Sequence, residues 1–156
     1  MTEMLAPGAK APDFRLRRED GTEVSLKPLQ GSKIVLYFYP RADTPGCTKE
    51  AIAFNGKRKD FEKAGTVILG VSADPVKAQE KFKDKYTLAF PLLSDETHAM
   101  LTAYGAWGEK SMYGKTYMGV HRITYLIDAK GFIAQAWPKV KVDGHAEEVL
   151  AAARSL

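Results

Sequence analysis

The residue best equipped for nucleophilic chemistry is Cys47, the one cysteine of the chain, in the stretch Tyr39-Pro40-Arg41-Ala42-Asp43-Thr44-Pro45-Gly46-Cys47-Thr48-Lys49-Glu50. A thiol reacts as its thiolate, so the question is what would favour the charged form. Before this stretch, residues 33–39 form a β-branched and aromatic run of strand length that ends at Pro40, which predicts a buried central strand. After Pro45-Gly46 the spacing changes. Cys47, Ala51, Phe54 and Phe61, with the stem of Arg58 between them, fall three or four apart and predict one inward helical face. Cys47 then lies in a first helical turn, where unpaired N–H groups and the positive end of the helix dipole favour thiolate. Thr44-Pro45-Gly46 is a turn-forming approach that brings backbone and a hydroxyl toward the sulfur. By count alone, a lone cysteine reads better as inert packing, and it is this polar approach that argues for chemistry.

Length and composition bound the elements that must position this thiol. A chain of 156 residues, 45% of them hydrophobic, can bury one sizeable core, and no linker or repeat divides it, so a single domain over 1–156 is expected. The formal charge is +4, but the basic residues are scattered among 19 acidic ones, which reads as a solvated surface rather than a nucleic-acid footprint. The start of the chain lacks an export signal, and no apolar run approaches membrane-spanning length. One cysteine forbids an internal disulfide, and with three separated histidines it makes no zinc signature. Neither metal nor cofactor is expected, and a reducing, cytoplasmic setting fits.

Taken in order, residues 11–16, a turn at Asp20-Gly21 and residues 24–26 predict an amino-terminal hairpin. The 34–39 strand, the Cys47 helix and a second apolar strand at 66–71 form a βαβ unit with parallel strands. Asp74-Pro75 is expected to cap and start a helix that packs through Val76, Phe82 and Tyr86. Asp95 is expected to cap a shorter helix with Met100, Leu101 and Tyr104. Gly105, Gly108, Gly114 and Gly119 then read as a long loop carrying Trp107, Tyr113 and Tyr117. Asp128-Ala129-Lys130-Gly131 predicts a hairpin between residues 122–127 and 132–137. A last helix over 145–154, started near Asp143-Gly144, buries Val149, Leu150 and Ala153. The fold class is α/β, a sandwich of helices about a mixed sheet.

These residues resemble a known family. Pro40, Thr44 and Cys47, as Pro-x-x-x-Thr-x-x-Cys, match the active-site signature of the peroxiredoxins. The segments Tyr37-Phe-Tyr-Pro40, Thr44-Pro-Gly-Cys-Thr-Lys-Glu-Ala51, Phe90-Pro-Leu-Leu-Ser-Asp95, Met112-Tyr-Gly-Lys115 and Arg122-x-Thr-Tyr-Leu-Ile-Asp128 are similar to its bacterioferritin comigratory protein, or PrxQ, branch. The resemblance implies a thioredoxin-like fold and thiol-dependent reduction of hydrogen peroxide and organic hydroperoxides. It implies Cys47 as the peroxidatic cysteine, Thr44 as the hydroxyl that contacts the peroxide, Pro40 as a shield over the sulfur and Arg122 as the charge beside it. If the Arg122 strand runs antiparallel to residues 34–39, its start lies at the Cys47 end. Without the resemblance, Arg122 reads as a strand-edge charge with a packed stem.

The chain departs from many members of this branch in having Ile52 where they place a second cysteine, five residues after the first, and no later cysteine replaces it. A one-cysteine cycle through a sulfenic acid and an external thiol is implied, the reductant being thioredoxin-like, glutaredoxin-like or a small thiol. A monomer is expected over a dimer. The rival reading is a redox-sensing or binding module on the same fold, without rapid turnover. A cysteine–histidine hydrolase would need His121 as base. Glu50 reads equally as a support for Arg122 or as a solvated first-turn acid, and is not counted as catalytic.

Overall fold

The computed structural model describes residues 4–156; residues 1–3, part of the stretch in which no export signal is expected, lie outside the described residues. In chain order the strands and helices begin with β1 (Arg15–Arg18) and β2 (Glu23–Ser25), then a 3-10 turn at Lys27–Leu29. The central unit follows as β3 (Lys33–Phe38), α1 (Pro45–Gly56), α2 (Arg58–Lys63) and β4 (Thr66–Ser72). Next come α3 (Val76–Tyr86), β5 (Leu92–Ser94) and α4 (Ala99–Ala103). The chain closes with β6 (Trp107–Met112), β7 (Lys115–Val120), β8 (Ile123–Ile127), β9 (Ile133–Trp137) and α5 (His145–Arg154).

Seven strands form one mixed sheet in the order β2-β1-β5-β4-β3-β8-β9. The expected parallel pair is β3 with β4, in register from Lys33 opposite Thr66 to Phe38 opposite Val71. The other neighbour of β3 is β8, antiparallel, with Phe38 opposite Ile123 and Ile34 opposite Ile127. Both predicted hairpins form, β1 with β2 and β8 with β9. In the turn of the second, Asp128 Oδ1 accepts from Lys130 N at 2.9 Å and Phe132 N at 3.0 Å. β3 is buried from Ile34 onward because it has neighbours on both edges and a side-chain layer on each face. Apolar residues from α1, α2, α3 and α5 fill one layer, while α4 and the amino-terminal segment contribute to the other. Among the described residues no helix is long and apolar enough to cross a membrane.

Several local expectations are corrected. The inward face expected to run unbroken from Cys47 to Phe61 is delivered by two helices, because α1 ends at Gly56 and Lys57 (φ −109°, ψ 7°) starts α2. Asp74 does not cap α3; Pro75 stands at the cap position and the Asp74 carboxylate is taken by Ala42 N and Ser72 Oγ. Asp95 lies further from α4 than a cap residue does. His98, left-handed at φ 65°, holds the cap position, and buried Asp95 reaches over it to accept from Leu101 N at 2.8 Å.

The largest correction is the 105–119 loop, which is a two-stranded antiparallel sheet of β6 and β7. Its turn residues Tyr113 (φ 52°) and Gly114 (φ 76°) are both left-handed, as the two central positions of a type I′ turn require. The glycines that suggested a loop face one another across this hairpin, Gly108 opposite Gly119. Gly119 also leaves room for Lys110, whose Cδ would stand 2.9 Å from an added Cβ.

Candidate active site

β3 extends its pairing one residue through Tyr39 N, which donates to Val71 O at 3.0 Å, and half-buried Pro40, lacking an N–H, ends it. The chain then crosses to Thr44, the cap residue of α1, with Pro45 in the first helical position. The Thr44 side chain does not cap the helix. Its Oγ1 donates to Arg41 O at 2.8 Å, which leaves its lone pairs available as acceptors. Pro45 has no N–H and Thr48 N bonds Thr44 O at 2.8 Å, so the unpaired donors of the first turn are Gly46 N and Cys47 N. Cys47 is free, faces the core and is 1% exposed.

Arg122 arrives from the other side of β3. The antiparallel register puts Ile123 opposite Phe38, so the preceding Arg122 falls at the level where β3 gives way to the Cys47 segment. Its Nη2 donates to Cys47 Sγ at 3.3 Å and its Nη1 to Glu50 Oε1 at 2.6 Å. Glu50 shares the face of Cys47 because three residues make nearly one helical turn. It is 1% exposed, which overturns the solvated alternative and makes it the residue that the sequence reading undervalued. Gly46 permits the approach. A Cβ there would stand 3.2 Å from Arg122 Nη2.

The electrostatics follow from burial. Desolvation pushes the Glu50 carboxyl up to about 7, against the pull of the Arg122 guanidinium. Burial works against the charge of Arg122 too, but Glu50 and Cys47 outweigh it and hold the guanidinium above its usual range. Glu50 Oε2 has no protein partner among the described residues, as a carboxyl that titrates near neutrality can tolerate. Lys110 was absent from the sequence reading because its strand was read as loop. It is half-buried, donates to Val120 O at 2.9 Å, and is pushed down by burial and by Arg122 while the Cys47 charge raises it.

Other candidates are placed elsewhere. Trp107 stacks on His98, with centroids 3.8 Å apart, while Tyr113 and Tyr117 are exposed on β6–β7. His145 is buried with its edge against Phe54 and Trp137, and its Nε2 lies 2.8 Å from Thr124 Oγ1. Burial pushes it down to about 4, so it packs as neutral imidazole. Among the described residues Cys47 bonds a guanidinium and no imidazole, so the hydrolase arrangement has no base at the sulfur. No group of three or more His, Cys, Asp or Glu that could hold a metal ion occurs among the described residues.

The AhpC/TSA family model matches residues 7–136. A putative peroxiredoxin bcp of Coxiella burnetii is 51% identical over 143 residues, covering 92% of this chain and 95% of that protein. Peroxiredoxin Bcp of Escherichia coli K12 is 44% identical over 146 residues, covering 94% of each. Among solved structures, a cysteine-to-serine mutant of Xylella fastidiosa PrxQ superposes with a TM-score of 0.92 at 35% identity, covering 99% of this chain and 98% of that one. The bacterioferritin comigratory protein of Xanthomonas campestris, studied for alkyl peroxide reduction, gives a TM-score of 0.88 at 42% identity, covering 99% and 98%. The sheet is therefore that of a thioredoxin-like fold, and the chain belongs to the AhpC/TSA family as a peroxiredoxin of the Bcp/PrxQ branch with a single cysteine.

Proposed function

We propose that the protein is a thiol-dependent peroxidase that reduces hydrogen peroxide and organic hydroperoxides through Cys47 alone. The observation that carries this reading is the guanidinium of Arg122 at 3.3 Å from a buried sulfur in the first turn of a helix. A cation, two unpaired N–H groups and the helix dipole converge on one atom, and all of them can stabilise negative charge as it develops during attack.

In the first half-reaction the Cys47 thiolate attacks one peroxide oxygen. The S–O bond forms as the O–O bond breaks, and the departing alkoxide or hydroxide takes a proton. Arg122 and the N–H groups of Gly46 and Cys47 supply donors to the negative charge as it shifts from sulfur to oxygen. Thr44, whose proton is engaged by Arg41 O, receives the hydrogen bond of the peroxide O–H. Pro40 keeps water from the sulfur on the loop side, and Glu50 is a positioning residue that orients Arg122. In the second half-reaction an external thiol attacks the sulfenic sulfur and releases water, and a second thiol then frees Cys47 with formation of the reductant disulfide. The reductant is thioredoxin-like, glutaredoxin-like or a small thiol. A monomer working as one domain in a reducing, cytoplasmic setting fits a free cysteine with no partner sulfur in the chain.

Intact-mass analysis after one equivalent of hydrogen peroxide tests the first step. One added oxygen, captured by a sulfenic-acid trap, is the expected result, and a loss of two hydrogens at monomer mass with no trapped sulfenic species would overturn the external-thiol scheme. Steady-state peroxide consumption with a small thiol then separates enzyme from sensor. Sustained turnover supports the peroxidase, and a single stoichiometric event would replace it with the sensing module.

A further inference from the structure

We propose that Lys110 is a positioning residue of the Cys47 site, whose ammonium supplies the second positive charge that Cys47 and Glu50 require beside Arg122. The proposal rests on the one-cysteine reading and adds a residue to it. Arg122 is shared, since its Nη2 donates to Cys47 Sγ at 3.3 Å and its Nη1 to Glu50 Oε1 at 2.6 Å. Both partners are 1% exposed. One guanidinium balances one negative charge, so a thiolate and a carboxylate compete for it where water does not screen them. A second cation within their field relieves that competition.

The β6–β7 hairpin builds Lys110 into that place. Tyr117 is directly opposite it across the pair of strands, and the lysine side chain runs from there back toward the base of the hairpin. Gly119 makes the path. A Cβ there would stand 2.9 Å from Lys110 Cδ and 3.7 Å from its Cγ, and the Tyr117 ring at 3.4 Å borders the same notch. The stem ends with Nζ donating to Val120 O at 2.9 Å. Val120 closes β7, and the two residues 121–122 link it to β8. The ammonium is thereby fixed to the segment that carries the guanidinium.

A neutral donor would satisfy Val120 O as well, so this hydrogen bond does not account for a charge. Among the described residues Lys110 makes no ion pair with a carboxylate. Its neighbour Glu109 is exposed, and adjacent strand residues point to opposite faces. Taking an ammonium half out of water with no counter-ion is unfavourable. The compensation comes from the sulfur: burial and Arg122 push Lys110 down, and the Cys47 charge raises it. That attraction is mutual. As Cys47 attacks a peroxide, negative charge moves from sulfur to the departing oxygen, and the field of the ammonium acts on it together with the Arg122 donors.

The test uses the full chain carrying Lys110→Met, Lys110→Arg, Gly119→Ala or Lys115→Met. Two quantities are read: the single-turnover rate with hydrogen peroxide, and the ratio of Cys47 alkylation rates with iodoacetate and iodoacetamide. The two reagents are close in size but only the first is an anion, so the ratio reports local positive charge and cancels changes in access. Lys110→Met should lower the ratio about threefold and the peroxide rate about fivefold, and Lys110→Arg should recover most of both. Gly119→Ala retains the lysine but displaces its stem, and should move both quantities the same way by less. Lys115→Met removes an exposed charge near the turn of the same hairpin and should match the parent. An unmoved ratio in Lys110→Met would overturn the proposal even if the peroxide rate fell, because the lysine would then only brace the hairpin. So would an equal fall of the ratio in Lys115→Met, or a lowered ratio with the peroxide rate of an active parent unchanged. Alkylation does not depend on peroxidase activity. A parent that consumes no peroxide, with the ratio still falling in Lys110→Met, would retire the functional reading and leave the charge of Lys110 at the sulfur.

Discussion

β3 sends Ile34, Leu36 and Phe38 into one side-chain layer and Val35, Tyr37 and Tyr39 into the other, so two cores share a strand. In the first layer the phenols pair with the backbone: Tyr104 Oη donates to Pro12 O and Tyr125 Oη to Tyr104 O, each at 2.6 Å. Burial pushes both phenols further from ionisation. The second layer is as dry and as aromatic, but it encloses Cys47, Glu50 and His145, with Arg122 at its edge. There burial moves ionisation toward the neutral range for Glu50 and suppresses it in His145. The difference teaches that a low-dielectric interior is inert while its polar groups cannot change charge, and becomes a reaction medium where they can.

The largest break in this contrast is Cys47→Ser. Serine keeps the size and the hydrogen-bond partner but is a poor nucleophile at neutral pH, so peroxide consumption should drop to the uncatalysed rate in a folded protein. Turnover retained in a variant with the parent unfolding curve would remove Cys47 from the mechanism. Arg122→Met comes next. It deletes the donor 3.3 Å from sulfur, and a missing donor to developing charge slows such steps by about 10²- to 10³-fold. Single-turnover mixing with hydrogen peroxide measures this, and a rate equal to the parent would reduce Arg122 to packing.

Glu50→Gln sharpens the contrast through pH. Glu50 has a folded value of about 7 against 4.5 for the free group, so the folded state binds the extra proton between those values. Its stabilising contribution is complete below about pH 4.5 and is lost as pH rises through 7. Two and a half units correspond to at most about 3 kcal/mol. His145 has the opposite sign, because its folded value of about 4 lies below the free value of 6.5. Its contribution is complete above about pH 6.5 and is lost as pH falls toward 4. The two slopes nearly cancel in the parent over this window, and Glu50→Gln uncovers the histidine slope. Urea unfolding from pH 4.5 to 8 should show the variant gaining on the parent by up to about 3 kcal/mol as pH rises. A pH-independent difference would mean that Glu50 stays ionised throughout.

Much of this arrangement was legible in the residues, for reasons that also explain the failures. A continuous β-branched and aromatic run of strand length and a helix opening on Pro45-Gly46-Cys47 are local signals, and both elements formed where they were read. The position of Arg122 depended on strand direction, which the fold resemblance implied and which the β3–β8 register bears out. Glu50 could not be resolved from sequence, because an acid near a helix start looks the same whether it faces water or a guanidinium 72 positions away. Asp74 and Asp95 were misread for a related reason. A carboxylate beside a helix start satisfies whichever N–H the tertiary structure brings nearest, here Ala42 and Leu101. The β6–β7 hairpin was missed because its turn is Tyr113-Gly114 rather than Asn-Gly, and among the described residues its strands pair only with each other.

The smallest expected effect on catalysis comes from Tyr125→Phe, and it tests whether the two layers are as separate as their chemistry suggests. Tyr125 is fully buried in the first layer, and its hydroxyl accepts from Leu5 N at 3.1 Å while donating to Tyr104 O. Removing the hydroxyl leaves a carbonyl at the end of α4 short of a partner, and a lost buried hydrogen bond costs about 1–2 kcal/mol. For a chain of this length that lowers the unfolding midpoint by about 3–6 °C. The peroxide step should stay within about twofold of the parent, because no hydrogen bond of Tyr125 reaches Cys47, Glu50 or Arg122. The variant is demanding because Tyr125 lies on β8 three residues after Arg122, opposite Leu36 of β3. A shift of that strand would move the guanidinium, and the 3.3 Å contact with sulfur would register it. A loss of midpoint with an unchanged peroxide rate would show that the shared strands transmit stability but not chemistry. If the rate falls in step with the midpoint, the separation between the layers fails, and the site depends on the whole sheet for its geometry.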